Sequence, residues 1–98
     1  MANDFRDVDP AELRVPRSRA SGADPYKLQQ QIAHFGSSSV GMPVIWVEEG
    51  TDGALQIVNG VTRATRIAKR SPGTLVRVEV IDKVRQPVGG HPKIGDLL

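Results

Sequence analysis

Residues 55–70, LQIVNGVTRATRIAKR, indicate a strand, a tight turn and a helix in direct succession. Residues 55–58 are mostly apolar and alternate like a strand, and Asn59 and Gly60 supply the turn. The first amide groups of the helix that follows have no partner within it, and the helix dipole adds partial positive charge there. The stretch therefore predicts an anion site, suited to a phosphate, at the start of the second helix.

Length and composition limit the chain to one small domain. Its 98 residues suffice for a single core, and the 39% hydrophobic and 24% charged fractions are ordinary for a soluble globular protein. There is no cysteine, no signal-peptide pattern and no apolar stretch near the roughly 20 residues of a membrane span. We therefore expect a cytoplasmic protein without disulfides, thiol chemistry or a membrane partner.

The charged residues are unevenly distributed, although the net charge is only +2. Acidic residues cluster at 4–12 and 48–52. Arg63, Arg66 and Arg70 are spaced to share one side of the second helix. This arginine stripe is either an ordinary solvated helix face or a nucleic-acid surface, and no aromatic residue lies nearby on which bases would stack.

Capping residues predict the first helix. Asp24 followed by Pro25 is typical of an N-cap and a first helical position, so the helix should begin at Pro25. Gly36 stands where a left-handed C-terminal cap is expected. The apolar stripe between these two ends consists of Leu28, Ile32 and Phe35.

Strand patterns complete a small sheet. Residues 43–47, PVIWV, are typical of a buried strand, and the turn cluster at 49–53 returns the chain as a hairpin into 55–58. Residues 75–81 alternate apolar and charged side chains. One short edge strand is expected within residues 1–16, which carry two apolar patches, around Val8 and at 13–15. The prediction is an α+β fold in which two helices pack on one face of a small mixed sheet.

The end of the chain has a different composition. Residues 83–98 are rich in glycine and proline and show no periodicity. We expect a domain over residues 1–82 followed by a loose tail. The apolar residues that would anchor this tail are Ile94, Leu97 and Leu98.

The order of elements and the sequence Gly60-Val61-Thr62-Arg63 resemble the ParB/sulfiredoxin-like superfamily. In that superfamily a G-x-x-R box opens a helix and contacts nucleotide phosphates. The resemblance implies that residues 1–82 form a ParB-like domain whose ligand is a nucleotide such as ATP or CTP, with or without Mg²⁺.

The resemblance also implies roles for single residues. Gly60 lets the backbone approach a phosphate, and Arg63 reaches the phosphate oxygens. Thr62 offers a hydroxyl group, and Asn59 lies beside it in the box. A further arginine precedes the first helix in the ParB-like pattern, and two residues of this chain match that loop, Arg17 and Arg19.

This chain differs from the superfamily pattern at several positions, and these differences exclude some of the activities that the resemblance implies. Val61 occupies the position of the reactive cysteine of sulfiredoxins, so that chemistry is excluded. No glutamate follows the box glycine, and we do not expect this chain alone to read centromere DNA. No candidate for binding a metal or acting as a general base belongs to a recognised motif, so catalytic residues are not assigned. The candidates are Glu48, Glu49, Asp52 and His34.

Two alternatives to nucleotide binding remain open at this point. The first is a ParB-like nuclease or nucleic-acid binder that acts through Arg63, Arg66 and Arg70. The second is a non-catalytic interaction module, in which an open sheet edge pairs with a protein partner or with a second copy of the chain.

Overall fold

The structure is a computed structural model that describes residues 3–19, 21–36, 38 and 41–98. Its strands and α-helices are β1 (Asp4–Val8), α1 (Pro25–Phe35), β2 (Ile45–Glu49), β3 (Leu55–Asn59), α2 (Val61–Arg70) and β4 (Val76–Lys83). Short 3₁₀ turns lie at Pro10–Glu12, Arg17–Arg19 and Ile94–Leu97. The predicted α+β class and element order are confirmed. Within the described ranges, no helix combines the length and apolar character needed to cross a membrane.

The four strands form one mixed sheet in the order β1-β4-β2-β3. β2 and β3 are the predicted antiparallel hairpin, whereas β4 runs antiparallel to β1 and parallel to β2. The chain must therefore pass from β3, across β2, to β4, and α2 makes this crossing. One face of the sheet supplies the core through Ile45, Val47 and Val78, while Trp46 on the other face is 43% exposed. The predicted buried strand is thus covered on one side only.

Helix α2 lies at the centre of the fold. Six of its ten residues are buried, including Ala64, Ile67 and the charged Arg66. It contacts α1 and the 3₁₀ turns at Pro10–Glu12 and Ile94–Leu97. Helix α1 has no buried residue. Helix α1 is therefore the peripheral helix, and it covers α2.

The predicted caps of α1 are present. The Asp24 carboxylate accepts hydrogen bonds from the backbone N–H groups of Tyr26 (2.9 Å) and Lys27 (3.4 Å). Gly36 ends the helix by donating its N–H to the Ile32 carbonyl at 2.8 Å. Its φ of 58° is positive as expected, but its ψ of −123° lies outside the left-handed helical region.

Residues 13–15 cover the outer edge of β3. Arg14 donates its backbone N–H to Leu55 (2.8 Å) and accepts from the N–H of Ile57 (2.9 Å). The expected short edge strand within residues 1–16 is β1, but the two apolar patches of that stretch lie far apart in the sheet. The first belongs to β1 at one sheet edge, and the second forms a bridge beyond β3 at the opposite edge.

The segment after β4 is packed against the domain, which corrects the expectation of a loose tail. Val88 and the expected anchor Ile94 are each 1% exposed, whereas Leu98 is 56% exposed. The Asp52 carboxylate accepts the N–H groups of Val88 (3.3 Å) and Gly89 (2.9 Å). Hydrogen bonds to distant residues hold this segment although it lacks periodicity.

Truncating Ile94 should test whether the final segment belongs to the core. We expect Ile94→Ala to lower the free energy of unfolding by about 2–5 kcal/mol, because a buried side chain is replaced by a cavity. The exposed Leu98→Ala is the matched control and should change it by less than about 0.5 kcal/mol. Urea unfolding measures both. Equal, small effects would mean that the segment contributes nothing to the core.

Candidate phosphate-binding site

Gly60 joins β3 to α2 in a conformation that other residues avoid. Its φ is 119° and its ψ is 22°. A Cβ atom at this position would lie 3.1 Å from Ile45 Cγ1 and 3.1 Å from Arg63 Nη2. Glycine is therefore required twice, for the positive φ and for the close approach of the β2 side chain and the arginine.

The helix that follows presents unpaired donors. Gly60 is the N-cap and provides no side-chain hydrogen bond to the first turn. The N–H groups of residues 61–63 are the first three of α2 and have no acceptor within the helix, whereas the next N–H, of Ala64, bonds the Gly60 carbonyl at 2.9 Å. These three N–H groups and the helix dipole make this end of α2 attractive to an anion.

A polar cleft of about 180 Å³ opens at the start of α2. The predicted residues that line it are Arg19, Asn59, Gly60, Thr62 and Arg63. Lys27 and Gln31 of α1, which the sequence did not single out, complete its opposite wall. Arg17 belongs to the same 3₁₀ turn as Arg19 but does not line the cleft.

Three cations of the polar cleft are unpaired. In the part of the chain that the structure describes, the side chains of Arg19, Lys27 and Arg63 form no hydrogen bond or ion pair. Elsewhere, Arg6 and Arg77 each have a carboxylate partner. No described acidic residue lines the polar cleft. The lining of the polar cleft is therefore positively charged.

The 3₁₀ turn before α1 fixes the backbone of Arg19. Its N–H donates to the Pro16 carbonyl and its carbonyl accepts from the N–H of Gly22, both at 2.8 Å. Asp24 is the acidic residue of the adjoining surface beside Arg19 and Lys27, and its carboxylate is engaged in capping α1. The turn thus brings one arginine of the loop toward the box.

Arg66 does not belong to an exposed basic face, which corrects the predicted arginine stripe. Its side chain is 2% exposed, and Nη1 donates to the carbonyls of Gly36 (3.1 Å) and Ser38 (2.6 Å). The guanidinium carbon lies 5.3 Å from the centre of the Phe35 ring. Burial lowers the pKa of Arg66 from its usual value. The end of α1 covers this arginine. Of the remaining stripe, Arg63 is half-buried and Arg70 is exposed.

The acidic and histidine candidates lie elsewhere. Glu49 pairs with Arg6 at 2.9 Å, and this hydrogen bond holds the pKa of Glu49 below its usual value. Glu48 accepts a hydrogen bond from Gln56 at 2.7 Å, and His34 is exposed on α1. Among the described residues, no group of three or more His, Asp or Glu side chains is arranged to hold a metal ion.

No protein-family model, curated protein or solved structure matches this chain. What the polar cleft binds is therefore inferred from its own residues. Those residues combine a glycine turn, a helix N-terminus and three unpaired cations, an arrangement suited to a phosphate group.

The structural role of Arg66 can be separated from a surface role. We expect Arg66→Ala to lower the free energy of unfolding by about 2–4 kcal/mol, because two carbonyl groups lose a charged donor and a buried cavity forms. Arg70→Ala, at the exposed end of the same helix, should change it by less than about 0.5 kcal/mol. If urea unfolding gave the same small effect for both, Arg66 would not hold α1 in place.

Proposed function

We propose that this chain is a small domain of ParB/sulfiredoxin-like type that binds a nucleotide or another phosphate-bearing ligand in the polar cleft. The convergence of the unpaired Arg19, Lys27 and Arg63 on the start of α2 is the observation that carries this proposal. None of these three cations forms an ion pair in the described chain, so an anionic ligand would provide a partner for them and would also accept from the free amide groups. Binding is the activity proposed.

Each residue of the polar cleft would make a different kind of contact with the ligand. Arg63 presents a planar fork of donors that suits two phosphate oxygens, and Lys27 contributes a compact charge from α1. The missing side chain of Gly60 allows a phosphate to approach the N–H groups of residues 61–63. Arg19 would supply the second arm, as the superfamily resemblance implies for the loop before the first helix. Thr62 and Asn59 add neutral polar groups.

Magnesium would reach this site with the ligand. Side chains that bind Mg²⁺ in proteins are chiefly carboxylates, and none of the described carboxylates lines the polar cleft. The positive side chains instead suit direct contacts with phosphate oxygens. The proposal therefore assigns charge neutralisation to Arg19, Lys27 and Arg63, and any Mg²⁺ would be held by the phosphates of a nucleotide.

The nucleic-acid alternative loses its main support because Arg66 is buried. Without it, Arg63 and Arg70 are separated by nearly two turns of α2 and form no continuous basic surface. The open sheet edge on which the protein-interaction alternative was based is present at β1. That strand carries Asp4, Arg6 and Asp7, and charged residues on an edge strand discourage pairing with another chain.

Two arginines of one 3₁₀ turn provide a matched test. We expect Arg63→Ala and Arg19→Ala each to weaken binding of pyrophosphate or ATP at least about tenfold, since each removes a charge-assisted hydrogen bond. Arg17→Ala removes the same charge from the same turn, outside the polar cleft, and should leave the affinity within about twofold. Isothermal titration calorimetry at fixed ionic strength measures all three dissociation constants.

Circular dichroism should show that all three variants remain folded. Equal losses for Arg17→Ala and Arg19→Ala would indicate binding by net charge rather than by the polar cleft. Unchanged affinity in Arg63→Ala would contradict the proposed site outright.

A further inference from the structure

The sheet face opposite the helices carries a row of three side chains on three neighbouring strands. Glu79 of β4 pairs in register with Phe5 of β1 on one side and with Trp46 of β2 on the other. Val78 and Ile45, which precede Glu79 and Trp46 in their strands, are fully buried in the core. Side chains alternate between the faces of a sheet and paired residues share a face, so all three lie on the uncovered one. We refer to Phe5, Glu79 and Trp46 as the aromatic row.

The two rings of the aromatic row are open to solvent. Phe5 is 46% exposed, and Trp46 is exposed to a similar extent. Aromatic side chains make up only 4% of the chain, so leaving two of them uncovered side by side costs the core much of its aromatic material. Exposed aromatic residues that lie together mark a surface suited to binding a partner.

The carboxylate between the two rings has no partner. Within the described ranges, the Glu79 side chain forms no hydrogen bond or ion pair, although it is partly buried. Arg77 lies two residues earlier on β4 but pairs with Asp7 of β1 at 3.2 Å. Flanking rings displace part of the water around a carboxylate, and an unpaired charge in such a setting favours a cationic partner.

The charges beside the aromatic row are negative although the whole chain has a net charge of +2. Further along the same two strands, Glu48 of β2 is paired in register with Asp82 of β4, which places two carboxylates side by side. Arg77 contributes no net charge because Asp7 neutralises it. This part of the sheet face therefore complements a positively charged partner.

The spacing of the strands suits a cation held between the rings. Neighbouring strands lie about 4.8 Å apart, so the strands that carry Phe5 and Trp46 are roughly 10 Å apart with Glu79 midway. A cation above Glu79 would lie about 5 Å from each ring, within the roughly 6 Å range of cation–π attraction. A guanidinium fits best, because it is planar, weakly hydrated and able to donate to both carboxylate oxygens.

We propose that the aromatic row is a docking site for an arginine side chain of a protein partner. The guanidinium would donate to the Glu79 carboxylate and contact the rings of Phe5 and Trp46. This function is additional to phosphate binding, because the polar cleft is lined from the helix side by Lys27 of α1 and Arg63 of α2. The chain would then bind an anionic ligand and a basic partner on opposite sides of its sheet.

Trp46 is the single tryptophan of the chain, so its fluorescence reports on the aromatic row. The probe is a blocked pentapeptide, Ala-Leu-Arg-Leu-Ala, titrated into the full chain beside the same peptide with citrulline, a neutral isostere, in place of arginine. We expect a saturable change in Trp46 emission and binding of the arginine peptide at least about tenfold tighter than of the citrulline peptide. Glu79→Gln should abolish this preference. Glu12→Gln removes the same charge from a 3₁₀ turn that contacts α2 and should preserve it.

An aromatic variant tests the contribution of the rings. Phe5→Leu keeps an apolar side chain and should weaken binding of the arginine peptide about threefold or more, because the cation–π contact is lost. Tyr26→Leu, at an exposed position of α1, is the matched control and should leave the affinity unchanged. Circular dichroism should show that all four variants remain folded.

Three results would overturn the proposal. The first is equal binding of the arginine and citrulline peptides, or no saturable change with either. The second is an undiminished preference for arginine in Glu79→Gln. The third is a change in Trp46 emission with protein concentration alone, accompanied by a dimer in sedimentation, which would mean that a second copy of the chain covers this face.

Discussion

Helix α2 is buried although it is strongly basic, and its burial determines how the other elements pack. A helix of ten residues, four of them basic, crosses the covered face of the sheet and has six buried positions. Ala64 and Ala68 keep its inner surface small, and Ile67 fills the core. The buried charge of Arg66 must be solvated by protein groups, and the carbonyls at the end of α1 do this. One arginine thus ties the two helices together.

The same burial sets the position of the polar cleft. Because Gly60 packs against Ile45, the first turn of α2 is held at the end of the hairpin. Arg66 lies one turn further along and holds the C-terminal end of α1. Helix α1 consequently runs beside the start of α2, and Lys27 and Gln31 face the box across the cleft. Arg66 acts on the site through the placement of α1, while Arg63 faces the ligand space.

Local patterns predicted the elements well because their causes are local. Asp24 and Gly36 cap α1 through bonds to neighbouring residues, and Gly60 ends β3 where its backbone must turn. The packing of the final segment depends on bonds between residues far apart in sequence, and no periodicity reveals them. Trp46 alternates with Ile45 and Val47, but the sequence could not show that the face carrying Trp46 is left uncovered.

The candidate site was predicted in part for the same reason. Gly60 and Arg63 belong to one turn, so their proximity follows from the sequence alone. The choice between Arg17 and Arg19 depends on how a 3₁₀ turn is oriented, and the contribution of Lys27 depends on the packing of two helices. The prediction that Arg66 lies on an exposed stripe was wrong because helical spacing groups it with Arg63 and Arg70. Its burial follows from α1, which spacing does not describe.

Phosphate binding at the N-terminus of α2, as proposed here, can be observed by an NMR titration of the ¹⁵N-labelled protein with pyrophosphate. We expect saturable shifts of the amide signals of Val61, Thr62 and Arg63, with smaller shifts at Lys27 and none at the exposed C-terminal end of α2. These shifts should disappear in Arg63→Ala. Saturation with no change at residues 61–63, or equal shifts at every exposed cation, would contradict it.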